Sequence, residues 1–238
     1  MICDAPGWIS PTSGAQGPSM VRVITVEREY GSGGAEIAKA LADRLGWKLY
    51  DQALTNEIAR FMECDCRVVE DHEEKRDPLY YRLLKSFKGG SYEGSQNIHR
   101  VQMADTDCIR EVTERVVKQA AAGGNCVIVG RGSAYYLQDR PDAYHVFVYA
   151  PRKDKVRRLR ARGKSDSDAS HLADTVDQER ADFIREYFGV EWPDRHKFHL
   201  MVNSTMGEAA AVDTVLHSIA VLEKPAQAAT QQAVQTAP

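Results

Sequence analysis

This sequence has little of what most function classes need. No apolar run approaches the roughly 20 residues of a bilayer-spanning helix, so no membrane role is expected. Its formal charge is only −3, which speaks against a general nucleic-acid binder while leaving room for a local basic patch. The cysteines are five, an odd number. Cys64-x-Cys66, with His72 nearby, lacks the Cys-x-x-Cys spacing of a structural metal site, and no second pair follows. They read as reduced thiols, with Cys126 a small buried side chain inside CVIV, and a reducing cytoplasm suits them. The seven histidines show no metal-ligand spacing, and no Ser/His/Asp or Cys/His arrangement is suggested. Residues 1–19 contain no basic residue and no long apolar core, so they do not resemble a signal peptide. Residues 1–20 are expected to form a flexible arm, unless translation starts at Met20. Residues 223–238 are rich in Ala, Gln and Thr without a packing pattern and are expected to be a disordered tail.

What remains is enough for one good-sized domain, since 43% of residues are hydrophobic and 27% charged, ordinary for a globular chain. Four apolar segments, Val21–Val26, Cys126–Val129, His145–Tyr149 and His199–Val202, read as buried strands, with Lys48–Tyr50 a shorter fifth. Helical spacing separates them. Ile37, Leu41 and Leu45 mark one helix, stopped at Gly46; Ile109, Val112, Val116 and Val117 mark another, stopped at Gly123–Gly124. Arg152–Arg162 and Ser165–Phe188 suggest a helical pair joined near Gly163, and Glu208–Leu222 closes the domain. Strands alternating with helices predict a three-layer, doubly wound parallel α/β sheet over residues 21–222. Residues 52–106 fit the sheet less well and are expected to be a helical insert that covers the site. Residues 152–190 are expected to act as a lid.

Ligands in such sheets sit beyond the carboxyl ends of the strands. Three segments converge there: the turn after Val26, the end of Lys48–Tyr50, and Gly130–Arg131–Gly132. The first is the most informative. Gly31, Ser32, Gly33 and Gly34 form a compact turn leading into a helix near Ala35 or Glu36, a candidate phosphate cradle of backbone N–H groups at a helix dipole. The usual loop pattern, G-x-x-x-x-G-K-[ST], is broken: Arg28 replaces its first glycine, Gly34 its lysine and Ala35 its hydroxyl. Arg28 could offset the missing lysine charge and Ser32 could offer a hydroxyl. The plainer alternatives are a simple strand–helix connection and a surface ion pair of Arg28 with Glu27 or Glu29.

Taken together, ITVEREYGSGGAEIAKALADRLGWKLYD, VIVGRGSAYYLQDRPDAYHVFVYAP, DQERADFIREYFGVEW and MVNST resemble the cytidylate-kinase-like branch of the phosphate-loop nucleoside monophosphate kinases. The resemblance implies that fold, with ATP and Mg2+ as cofactors. It implies as partners a nucleotide donor and a small phosphorylated acceptor, for which CMP and dCMP are the candidates. It also implies that Arg131 binds the acceptor's monophosphate and that Asp51 stands where the acceptor-binding segment begins. The lysine is absent from this branch's loop, and the aspartate that precedes Gly-Arg in authentic cytidylate kinases is here Val129.

Phosphoryl transfer asks the protein mainly for positioning and charge neutralisation, so arginines are the candidates of interest. Arg28, Gly31, Ser32, Gly33 and Gly34 are expected at the donor, and Asp51 and Arg131 at the acceptor. Asp51 could equally cap a helix, and Arg131 could pair with Asp139 or Asp142. Arg157, Arg180 and Arg185 are the lid candidates; Asp177-x-x-Arg180 and Asp182-x-x-Arg185 both fit a lid motif. The bland alternative for each is a solvated helix face. The leading expectation is an ATP-dependent kinase; the rival is a nucleotide-binding sensor or regulator with the same fold. Oligomeric state is not specified by these patterns.

Overall fold

The computed structural model describes residues 20–51 and 106–235, with side-chain surroundings for residues 20–51 and 110–223. The expected insert and N-terminal arm therefore lie outside the described residues, apart from Met20, Thr106 and their edges. The described strands are β1 (Val23–Arg28), β2 (Lys48–Tyr50), β3 (Cys126–Val129), β4 (Ala143–Tyr149) and β5 (Leu200–Asn203). The described helices are α1 (Gly34–Leu45), α2 (Thr106–Ala122), α3 (Ser133–Tyr136), α4 (Arg152–Ala161), α5 (Asp166–Phe188) and α6 (Glu208–Gln235).

All pairings are parallel, in the order β2-β3-β1-β4-β5. A parallel sheet needs crossovers, and the crossover helices cover both of its faces, which is why its strands read as unbroken apolar runs. On one face α1 and α6 bury Ile37, Leu41, Val212 and Val215 against Ile24, Val26, Val127, Val146 and Val202. On the other, α2, α3 and α5 bury Val116, Val117, Tyr135, Phe183 and Tyr187 against Val23, Ile128 and Phe147. The doubly wound reading holds. α1 ends at Gly46, whose left-handed backbone lets its N–H reach back to the last carbonyls. Ser165 caps α5 by accepting from the Asp168 N–H, and Gly189 ends it in the same left-handed form as Gly46. A third small cluster joins Tyr30, from the turn after β1, to Leu159 of α4 and Ala169, Ala173 and Val176 of α5. Through it the α4–α5 pair packs directly onto the glycine-rich turn.

Two boundaries differ from expectation. β1 runs on through Glu27 and Arg28, paired with Phe147 and Val148 of β4, where the sequence placed a turn after Val26. Charged side chains at a strand tip look like a turn in sequence; here both are buried. α6 runs to Gln235, where an unstructured tail was expected beyond Leu222. Ala and Gln are good helix formers, and their propensity favours the continuation in spite of Pro225. Among the described residues no helix is long and apolar enough to cross a membrane.

β1 is the strand at which the winding reverses, since β3 and then β2 lie to one side and β4 and β5 to the other. Open sheets form a crevice beyond such a point. Both glycine turns meet there.

Candidate active site

The turn between β1 and α1 is held from outside. Gly31 and Gly33 adopt φ of +76° and +83°, values that L side chains rarely adopt. Arg158 of α4 donates to the Ser32 carbonyl at 2.9 Å and to the Ser204 carbonyl at 3.0 Å, while the Ser204 hydroxyl also donates to the Ser32 carbonyl at 2.5 Å. Because the peptide is planar and trans, a carbonyl fixed on one side sends the following N–H, that of Gly33, to the other. The first intrahelical bond of α1 runs from Ile37 N–H to the Gly33 carbonyl at 3.1 Å. The N–H groups of Gly34, Ala35 and Glu36 precede it and have no acceptor within the helix. These donors and the helix dipole converge at the strand tips, as a phosphate requires. The Tyr30 N–H belongs to another partner, the Asp177 carboxylate at 2.7 Å.

Around this turn lie three buried guanidinium groups. Arg28, Arg131 and Arg180 are 4%, 2% and 5% exposed, and Glu27, 4% exposed, lies among them. Period-two alternation puts Glu27 in the row of Val23 and Thr25, and Arg28 in that of Ile24 and Val26 beside α1. Burial and the like charge of Arg28 push the Arg131 guanidinium down to about 9, against the pull of Asp51 and Glu27. The same two causes push Arg180 down to about 10, against Asp177 and Glu27. Both stay cationic at neutral pH, but the nearby carboxylates do not make up for lost hydration and mutual repulsion. An added anion would. Burial also holds the Glu27 carboxyl above its usual range, opposed by the three arginines and the Gly132 N–H.

The Asp51 charge favours the cationic form of Arg131, and Asp142, one of the neighbours the sequence offered it, is held by Arg140 at 2.6 Å. Arg131 holds a left-handed backbone, φ +62°, between Gly130 and Gly132. Arg28 is not a surface arginine: Glu29 bonds the Ala150 N–H and Lys155 instead. The two lid alternatives separate cleanly. Arg180 donates to the Arg28 carbonyl at 2.7 Å and pairs with Asp177 at 3.3 Å, and Asp177 also takes Lys155 at 2.8 Å. Arg185 is half exposed, pairing with Asp182 at 3.3 Å and Glu191 at 3.6 Å. Arg157 is largely exposed and pairs with Asp154 at 2.8 Å, away from the turn. The cation that α4 does deliver is its neighbour Arg158.

Sequence reasoning singled out neither Arg158 nor Glu27. The signal for Arg158 was present, since Lys155, Arg158 and Leu159 share one helical face that packs α4 against the turn. Glu27 had no local signal, since it carries the composition of a turn and only its pairing with Phe147 makes it strand. Asn203 caps its own turn by accepting from the Thr205 N–H at 3.1 Å. Trp192 packs against Phe147, and Tyr187 against Phe183.

The donor set fits the phosphates of a nucleotide: orphan N–H groups at a helix start, and buried guanidiniums that repel one another. It does not by itself fit magnesium. Ala35 offers no hydroxyl, Val129 is an apolar core residue, and no metal-binding cluster of His, Cys, Asp and Glu exists among the described residues. The Ser32 hydroxyl, fully buried, has no partner among them.

Comparison with known proteins agrees with this architecture. Residues 23–206 match the profile of the cytidylate kinase-like family. No curated protein matches at a significant level. An uncharacterized protein from Eubacterium ventriosum is similar at 19% identity with a TM-score of 0.57, over 83% of this chain and 97% of its own. A gluconokinase from Sinorhizobium meliloti matches at 16% identity and a TM-score of 0.47, over 92% and 99% of the two chains. A shikimate kinase from Bacteroides thetaiotaomicron matches at 16% and 0.45, over 88% and 99%.

Proposed function

The chain belongs to the cytidylate kinase-like family, and from that premise we propose that it transfers a phosphoryl group from ATP to a small phosphorylated acceptor, with CMP and dCMP the first to test. Membership carries a kinase-like phosphotransferase reading at the level of the family. The donor, the acceptor and the residue roles are our assignment. The N–H groups of Gly33 and the start of α1 hold the donor's phosphates. Arg131, whose charge Asp51 favours, holds the acceptor's monophosphate through its planar fork. Arg180, fixed by Asp177 beside the turn, adds charge stabilisation from the lid side. ATP supplies the transferable group; magnesium would accompany it, and no step here is assigned to the metal. In this reading the protein works in the cytoplasm, where its cysteines stay reduced.

The observation that carries this reading is the burial of Arg28, Arg131 and Arg180 around the tips of β1 and β3, where lost hydration and like charge outweigh the nearby carboxylates at Arg131 and Arg180. A coupled assay across all ribo- and deoxynucleoside monophosphates tests it. Turnover of one acceptor class supports the kinase; a folded protein that turns over none refutes it. The second reading, a nucleotide-binding regulator, is favoured by Gly34 and by Val129, fully buried in the apolar core. Tight nucleotide binding by calorimetry with no turnover selects it.

A further inference from the structure

Arg28 is threaded between two glycines. A Cβ added to Gly34 would lie 2.5 Å from Arg28 Cβ and 3.0 Å from its Cγ. One added to Gly130 would strike the Arg28 guanidinium. Real Cβ atoms do not approach that closely, and the Arg28 Cβ is fixed to the centre of the sheet. It cannot swing aside as the end of a long side chain could. Gly34 therefore cannot carry a side chain while Arg28 keeps this course. Gly34 is also the position that the usual phosphate loop gives to lysine.

The stem of Arg28 passes under the first residue of α1, and its head reaches Gly130, the residue before Arg131. Arg28 is the largest like-charge influence on both Arg131 and Arg180. Its Nη2 is buried and has no hydrogen-bond partner among the described residues. A buried guanidinium nitrogen without an acceptor is costly, and two like-charged heads close by make it more so. The head thus lies between the N–H groups assigned to the donor and the arginine assigned to the acceptor.

We infer that Arg28 is the cation of this phosphate loop, entering from the strand beneath instead of from the first turn of the helix, and that it neutralises the phosphate nearest the acceptor. The loop has no lysine because the arginine occupies the lysine's place. The loss of one charge and the gain of the other are a single exchange. A guanidinium also suits a bridging position, since its fixed fork can serve two phosphoryl oxygens at once, where an ammonium is a point charge. This inference rests on the donor reading above.

The test compares the wild type with Arg28→Met, Gly34→Lys and the double exchange Arg28→Gly/Gly34→Lys. Each is measured for thermal midpoint without ligand, for the shift produced by ATP, and for ATP affinity by calorimetry. Arg28→Met keeps the apolar stem and removes a charge that Arg131 and Arg180 oppose and the Glu27 carboxyl favours. It is expected to melt near the wild-type midpoint and to bind ATP about 100-fold more weakly. Gly34→Lys alone is expected to melt lower, with no gain in affinity, while the double exchange recovers ATP binding to within about tenfold of the wild type. Arg28→Met that melts well below the wild type or fails to fold assigns Arg28 a structural role and overturns the inference. So does Arg28→Met with undiminished ATP affinity, or Gly34→Lys with wild-type stability and tighter binding. Failure of the wild type itself to bind ATP overturns the donor reading and this inference with it; loss confined to the variants' predicted pattern leaves the donor reading standing.

Discussion

Replacing Arg131 separates its binding role from its structural one. In the folded chain its guanidinium is pushed down to about 9 by burial and the like charge of Arg28, an electrostatic burden on its charged form. Arg131→Ala removes that burden. It also removes buried stem atoms, a cavity cost of roughly 2–4 kcal/mol. The two act in opposite directions, so the unliganded midpoint should move less than cavity formation alone would move it. The acceptor is a different matter. A forked, charge-assisted grip on a monophosphate is worth about 3 kcal/mol, so its removal should lower kcat/KM for the acceptor roughly 150-fold. Donor affinity should change less than about threefold, because the turn's N–H groups are untouched. A companion variant checks the backbone: at φ +62°, Arg131→Gly should be about 1 kcal/mol more stable than Arg131→Ala. Steady-state kinetics with each substrate varied, together with melting curves, decide the matter. Equal losses for donor and acceptor, or a collapse in stability with wild-type kinetics, would refute the assigned role.

Stability should fall in mild acid through His145, which is 3% exposed, bonds the Thr25 hydroxyl at 2.7 Å and stacks on His199. Burial and the neighbouring His199 lower it from 6.5 to about 3, so its contribution is complete above pH 6.5 and is lost as pH falls towards 3, at about 1.4 kcal/mol per unit. His145→Gln should flatten urea-denaturation stability between pH 6.5 and 5 relative to the wild type; parallel curves would contradict this. Asp177→Asn, which strips the counter-charge from Lys155 and Arg180, both nearly buried, should cost roughly 2–4 kcal/mol by denaturant melting, and an unchanged midpoint would deny its anchoring role. Arg157→Ala, at 72% side-chain exposure, should stay within about 0.5 kcal/mol and twofold in activity. Arg158→Ala should lower both stability and donor affinity; the opposite ranking would show that the wrong arginine of α4 has been placed at the turn.

The layer order was legible because buried parallel strands must be apolar on both faces: CVIV of β3 and the run through β4 allow no other reading. The end of β1 was not legible. Glu27 and Arg28 carry the composition of a turn, and only pairing with Phe147 and Val148 makes them strand. The lid was half legible. Spacing put Asp177-x-x-Arg180 and Asp182-x-x-Arg185 on the same helix, and nothing local distinguishes two motifs five residues apart on a 23-residue helix. The rotation of α5 against the sheet does so, burying Arg180 and leaving Arg185 in solvent.

By itself, then, the sequence determined the alternation of strands and helices, the glycine turn at a helix start and the shortage of a lysine there, because these depend on periodicity and backbone freedom, which are local. Tertiary structure decided which charges meet. Arg28 from β1, Arg131 after β3 and Arg180 from α5 lie far apart in the chain, and Asp51 acts on Arg131 across a gap of eighty positions. Their proximity follows from the reversal of winding at β1, and the strength of their interaction follows from the loss of water around them. Neither quantity exists in a chain that has not folded.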